Sequence, residues 1–354
     1  MKLALTTTPL LAFALACSGE PARDAQHANA APSAHVSVPP TIQLPNGAAG
    51  IGFDDLRYST TLGRVLVPAG RTGELDLVDP ATGAVTQIAG FGSKATYSGG
   101  HGDGVTSVDE GAGFLFAVDR TMKRVDVVDA AAKKIVAFAP LAADPDYVRW
   151  VAATNEVWVT EPDTETIEIF RFTPGEKPAI EHAGEIVVHG GPESLVIDAQ
   201  RGRAYTHLWE RQTVSIDVRT RKIVAFWKNG CRDSRGIALD EKRGFLFAAG
   251  AEGIAVVLDV EHDGKQLGSA RTGEGVDIID YDAARGHLYV PAGKSATLTI
   301  LGVSAAGELA VLGSAPIAQG AHCATSDGNG RVFVGHPAKG ELLVIADEYA
   351  ASGR

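Results

Sequence analysis

Cysteine, methionine and tryptophan are scarce in this chain: three, two and four residues among 354, with aromatic residues at 6%. Three cysteines cannot build a disulfide-dense scaffold. No C-x-x-C or H-x-x-x-H pair marks a structural metal site either. Apolar runs are short: the stretch from Leu10 to Ala16 falls far below the ~20 residues of a bilayer-crossing helix. Excess positive charge is missing too. The 32 Lys and Arg residues stand against 43 Asp and Glu, a formal charge of −11, and they are scattered. Binding to a phosphate backbone needs a Lys/Arg stripe that displaces counterions, so nucleic acid is a disfavoured partner.

What is present is a globular composition, 45% hydrophobic and 21% charged, able to bury a sizeable core. Residues 1–16, with Lys2 ahead of the apolar stretch, read as a signal peptide. Ala14-Leu15-Ala16-Cys17-Ser18 resembles a lipobox, in which Cys17 becomes diacylated; an ordinary cleavage site is the alternative. Residues 17–34, rich in Ala, Pro, Ser and Asn, cannot pack and read as a flexible tether. These features lead us to expect an exported lipoprotein facing the periplasm or the cell surface, touching the membrane through its lipid alone. Disulfides persist in such a compartment. Cys231 and Cys323 either pair there, if their Cα atoms come within ~7 Å, or remain free thiols.

One phrase returns seven times: a glycine, or one asparagine, opening a short apolar run. The openers are Gly63, Gly113, Asn155, Gly202, Gly244, Gly286 and Gly330, spaced by 50, 42, 47, 42, 42 and 44 residues. That is the length of a four-stranded propeller blade. Before each opener runs an apolar strand, often ending in Asp as in Val196-Ile197-Asp198; after it come a third and a fourth strand. The expectation for residues 35–354 is an all-β, seven-bladed β-propeller of four-stranded antiparallel blades. The seventh unit stops one strand short, and the segment Val36-Ser37-Val38, continuing through Thr41 to Leu44, is available to complete it. Closure in this way removes an open sheet edge.

Arg235-Gly236-Ile237-Ala238-Leu239-Asp240 and Leu288-Tyr289-Val290-Pro291-Ala292-Gly293 resemble the YncE-like, YVTN-repeat family of seven-bladed propellers, over residues 35 to 347. No Trp-Asp dipeptide occurs, which argues against a WD40 propeller proper. The resemblance implies an architecture; it does not specify an activity.

Inner strands line a propeller's channel, and the loops leading into them ring one mouth. The residues that start those strands are, in blade order, Asp54, Gly104, Tyr147, Glu193, Arg235, Asp277 and His322. His101 and Asp103 stand just ahead of this ring on the glycine-rich loop of residues 99–104. Asp54, Glu193, Asp277 and His322 form a candidate divalent-cation set, suited to Ca²⁺, Mn²⁺ or Zn²⁺. The plainer alternative is that Arg235 neutralises Glu193 and Asp277 in a solvated channel. A softer Cu or Zn set of Cys231, Cys323, His322 and His101 has no supporting spacing. A Cys323–His322 nucleophile and base is disfavoured, because neighbouring strand residues face opposite ways. The four tryptophans read as packing between blades, with Trp209 the one expected at the surface.

The leading functional expectation is a monomeric binding or scaffolding module of the cell envelope, taking an envelope protein or a small polar ligand, with a cation at the mouth. The alternative is a metal-assisted lactonase or related hydrolase, supported by fold analogy alone.

Overall fold

The residue that opens each apolar phrase is a left-handed turn residue: the seven φ values run from 53° at Asn155 to 86° at Gly330. Glycine reaches this region without strain and asparagine with little. The preceding Asp fixes the turn from its side chain. Asp240 Oδ1 accepts from the Arg243 amide at 3.0 Å while its carbonyl accepts from Gly244 at 2.9 Å, and Asp282 acts likewise on Ala284 and Gly286. The repeat is therefore a hairpin signal, and it predicts the sheets.

The computed structural model describes residues 39–352. Among these are seven four-stranded antiparallel sheets, a seven-bladed propeller. In six blades the strands follow chain order. The inner strands are Arg57–Ser59, Val105–Gly111, Val148–Val151, Val196–Asp198, Ser234–Asp240 and Asp280–Asp282. Blade 7 places Ala324–Ser326 innermost, then Arg331–His336 and Glu341–Ala346, and takes its outer strand from the N-terminal side, Thr41–Gln43. The pairing is antiparallel, with Thr41 opposite Leu343 and Gln43 opposite Glu341. Gln43 Nε2 adds a hydrogen bond to the Gly340 carbonyl at 3.0 Å. Of the segment expected to close the ring, Val36 to Val38 lie outside the described residues, as do the expected signal peptide and tether and Cys17.

Apolar residues that alternate along the strands pack between neighbouring blades. Phe116, Phe170 and Phe172 fill one such interface, and Trp158 is wholly buried in another layer. Each large side chain so buried contributes ~1.5–3 kcal/mol. Blades 2 to 6 each carry a register break between the third and fourth strands, at Val127/Val128, Ile169/Phe170, Ser215/Ile216, Val257/Leu258 and Ile300/Leu301. Such bulges increase strand twist and make an outer edge a poor template for another chain.

The channel has two ends, divided by a buried waist. At the hairpin end a funnel of about 610 Å³ is lined by residues such as Tyr58, Trp150, Ile279 and Tyr281. At the loop end lie the residues that start the inner strands.

Candidate functional site at the loop mouth

Two interblade bonds bring blades 6, 7 and 1 into register at this mouth. The Ile278 amide donates to the His322 carbonyl at 3.0 Å, which sets His322 beside Asp277. His322 Nε2 in turn donates to the Phe53 carbonyl at 2.9 Å, one residue before Asp54. The inner strand of blade 2 starts without a side chain here, because a Cβ at Gly104 would collide with the Gly70 carbonyl of blade 1. His101, from the loop ahead of blade 2, occupies the gap.

The resulting cluster is tight. His101 Nδ1 donates to Asp54 Oδ2 at 2.9 Å, and its Nε2 stands 3.8 Å from Asp277 Oδ2. His322 Nδ1 is 4.0 Å from the same oxygen, and the two imidazoles meet edge to face at 5.4 Å. One ligand atom from each of His101, Asp277 and His322 lies within 4.8 Å of the other two. Arg120 approaches from below, 3.3 Å from Asp54 and paired with Asp146.

Charge in the cluster is unevenly shared. Burial pushes Asp54 up, but His101 and Arg120 outweigh it and hold the carboxyl below the ordinary range. The Asp54 carboxylate lifts His101 to about 9 against the opposing effect of burial. Asp146 behaves in the opposite sense: burial, only partly offset by Arg120, pushes it well above the ordinary carboxylate range. Burial likewise raises Glu193 to about 7, opposed by Arg235 and reinforced by Asp277. Desolvation and like charge are the two causes of a raised carboxyl pKa.

The other candidates divide. Glu193 pairs with Arg235 and accepts from the indole NH of Trp209, which is 36% exposed at the rim. It therefore stands apart from the His101, Asp277 and His322 group, and the four-residue cation set read from the sequence is redrawn with His101 in place of Glu193 and Asp54 behind it. Asp103 turns away to Lys94. Tyr147 is buried at the waist over Arg149, 4.8 Å from its ring centre, and lines the funnel instead of the mouth. Asp146 takes its place.

Cys231 and Cys323 are free and buried, which corrects the pairing alternative. They belong to separate packing clusters, Cys231 with Trp227 and Tyr205, Cys323 with Phe53 and Ile278. Burial raises Cys231 to about 12 and Cys323 well above the ordinary thiol range. Neither is poised as a nucleophile or soft ligand.

No family model matches the chain, and no curated relative does. Solved structures do. A chain of the mitotic checkpoint complex superposes with a TM-score of 0.70 at 14% identity, covering 96% of this chain and 98% of that one. The hydrazine synthase of Kuenenia stuttgartiensis gives 0.69 at 12% identity, over 84% and 96%. A β-propeller domain from Myceliophteria thermophila gives 0.67 at 11%, over 87% and 99%. What these chains share with this one is the propeller fold, here with seven blades. Such likeness at low identity is expected, because blade geometry depends on hairpin turns and interblade packing that many sequences satisfy.

Proposed function

We propose that this chain is an exported, lipid-anchored binding module of the YncE-like type, and that its loop mouth receives a small polar ligand. One observation carries the reading: ionisable side chains from all seven blades converge on one mouth, where His101, Arg235, Asp277 and His322 remain partly exposed. Glu193, Arg235 and Trp209 offer an acceptor, a fork of donors and an aromatic face side by side. A similar propeller occurs in the mitotic checkpoint complex, which supports a binding role. Export and anchoring rest on residues 1–34 and the lipobox-like Cys17.

Two experiments test the two halves. Cell fractionation should release the protein from the membrane when Cys17 is changed to Ala; unchanged fractionation removes the anchor. A thermal-shift screen of polar metabolites should find a ligand whose shift disappears in Glu193→Gln and Arg235→Ala. A ligand indifferent to both variants places binding elsewhere.

A further inference from the structure

We propose that His101, Asp277 and His322 hold one borderline divalent first-row ion such as Zn²⁺ at the loop mouth. This deepens the reading of the mouth as a binding site and rests on it.

The orientation of the two imidazoles carries the argument. Each ring uses one nitrogen in a hydrogen bond that fixes the ring, His101 Nδ1 to the Asp54 carboxylate and His322 Nε2 to the Phe53 carbonyl. A carboxylate or a backbone carbonyl behind a histidine is how metal-binding imidazoles are held and their tautomers chosen. Each ring's other nitrogen, His101 Nε2 and His322 Nδ1, is then free of protein donors and turned toward Asp277 Oδ2. Salt-bridged surface histidines in this chain, such as His189 and His262, lack this convergence.

The distances agree. Three ligand atoms within 4.8 Å of one another need only small side-chain rotations to reach the ~2.0–2.2 Å bonds of Zn²⁺ to nitrogen and oxygen. Asp54 and Asp277 are the carboxylates that flank the two imidazoles, with Arg120 behind Asp54. Two imidazoles and one carboxylate select imidazole-binding metals over Ca²⁺ and Mg²⁺, which take oxygen ligands. Three protein ligands leave coordination positions open toward solvent, where the polar ligand would enter.

The test uses the full chain, stripped with EDTA and titrated with Zn²⁺. Uptake of one ion per chain is expected, with Co²⁺ in its place giving the visible absorption of imidazole ligation. His101→Gln and His322→Gln should abolish uptake. Asp54→Asn, which leaves all three ligands in place, should weaken it ~10–100-fold, as loss of an orienting partner does. Melting curves of the stripped variants check that they fold, and Asp54→Asn keeps the test informative should a ligand variant unfold. Absence of uptake overturns the proposal. So does uptake that the three variants leave unchanged, or Ca²⁺ binding as tight as Zn²⁺. A metabolite shift lost in Glu193→Gln but present without metal would leave the binding mouth standing while this assignment fell.

Discussion

Asp55 of blade 1 and Arg149 of blade 3 meet across the channel axis, with Arg149 giving two hydrogen bonds to the Asp55 carboxylate at 2.6 and 3.1 Å. Arg149 Nε also donates to the Leu195 carbonyl of blade 4 at 2.9 Å, and Ser107 of blade 2 donates to Asp55 at 2.6 Å. Four blades are thus tied at the waist. Removing either charge leaves the other buried without its partner, so Asp55→Ala and Arg149→Ala are each expected to cost ~3–5 kcal/mol. Denaturant titration of the double variant should show a loss smaller than the sum of the two.

Asp76, in the third strand of blade 1, is wholly buried, and neither of its carboxylate oxygens has a hydrogen-bond partner. Burial, with Glu74 adding, raises it to about 7 from 3.8. A folded pKa above the unfolded one means the native state keeps the proton the unfolded chain has lost. The cost of ionisation is absent below pH ~4 and complete above pH 7. Asp76→Asn should therefore stabilise the protein above pH 7 by on the order of 1–3 kcal/mol. The gain over wild type should fade as the melting experiment is repeated toward pH 4.

His207 lies buried between blades 4 and 5, its Nδ1 2.8 Å from Thr213 Oγ1, and burial lowers it to about 4 from 6.5. The native state here prefers the neutral ring. Its contribution to stability is complete above pH 6.5 and is lost as pH falls toward 4. Wild type should lose on the order of 3 kcal/mol over that interval relative to His207→Gln, read from parallel denaturation curves.

Gly104 and Gly63 both have positive φ, 69° and 61°, yet only Gly104 faces a backbone obstacle, the Gly70 carbonyl. Gly104→Ala should lower the melting temperature by several degrees and displace His101. Gly63→Asn, in open space with a residue that tolerates this conformation, should stay within ~0.5 kcal/mol of wild type.

Cys231 and Cys323 should resist a thiol reagent in the native protein and react in full once it is unfolded, without prior reduction. Rapid native labelling, or a requirement for reductant, would contradict their burial as free thiols.

The blades were readable in the sequence because one backbone requirement, a left-handed turn residue, recurs at a nearly fixed interval. The mouth was only partly readable. Asp54, His101, Asp277 and His322 come from segments leading into inner strands, which the repeat locates. Arg120 follows the second strand of blade 2, Phe114–Asp119, and reaches the same mouth from a loop to which the repeat does not point. Asp146 stands nine residues before Asn155, the interval that separates Asp54 from Gly63, so a constant offset would have found it ahead of Tyr147. Glu193 pairs with Arg235, as the salt-bridge alternative expects, while only side-chain geometry shows that Trp209 binds it too. Nothing in the pattern singled out Asp55 and Arg149, since buried ion pairs follow no period.

The strand that completes blade 7 is made early in synthesis, yet its partner, Glu341–Ala346, emerges some three hundred residues later. Until then Thr41–Gln43 has nothing native to pair with, and pairing across so long a separation is slow. Its brevity, with Pro39 and Pro40 before it and Pro45 after it, makes it a poor seed for wrong strand pairing while it waits. His101, Asp54, Asp277 and His322 straddle that same seam. A chain without its last strands therefore holds the parts of the mouth without the mouth itself, so the ligand proposed for it would bind only the closed ring.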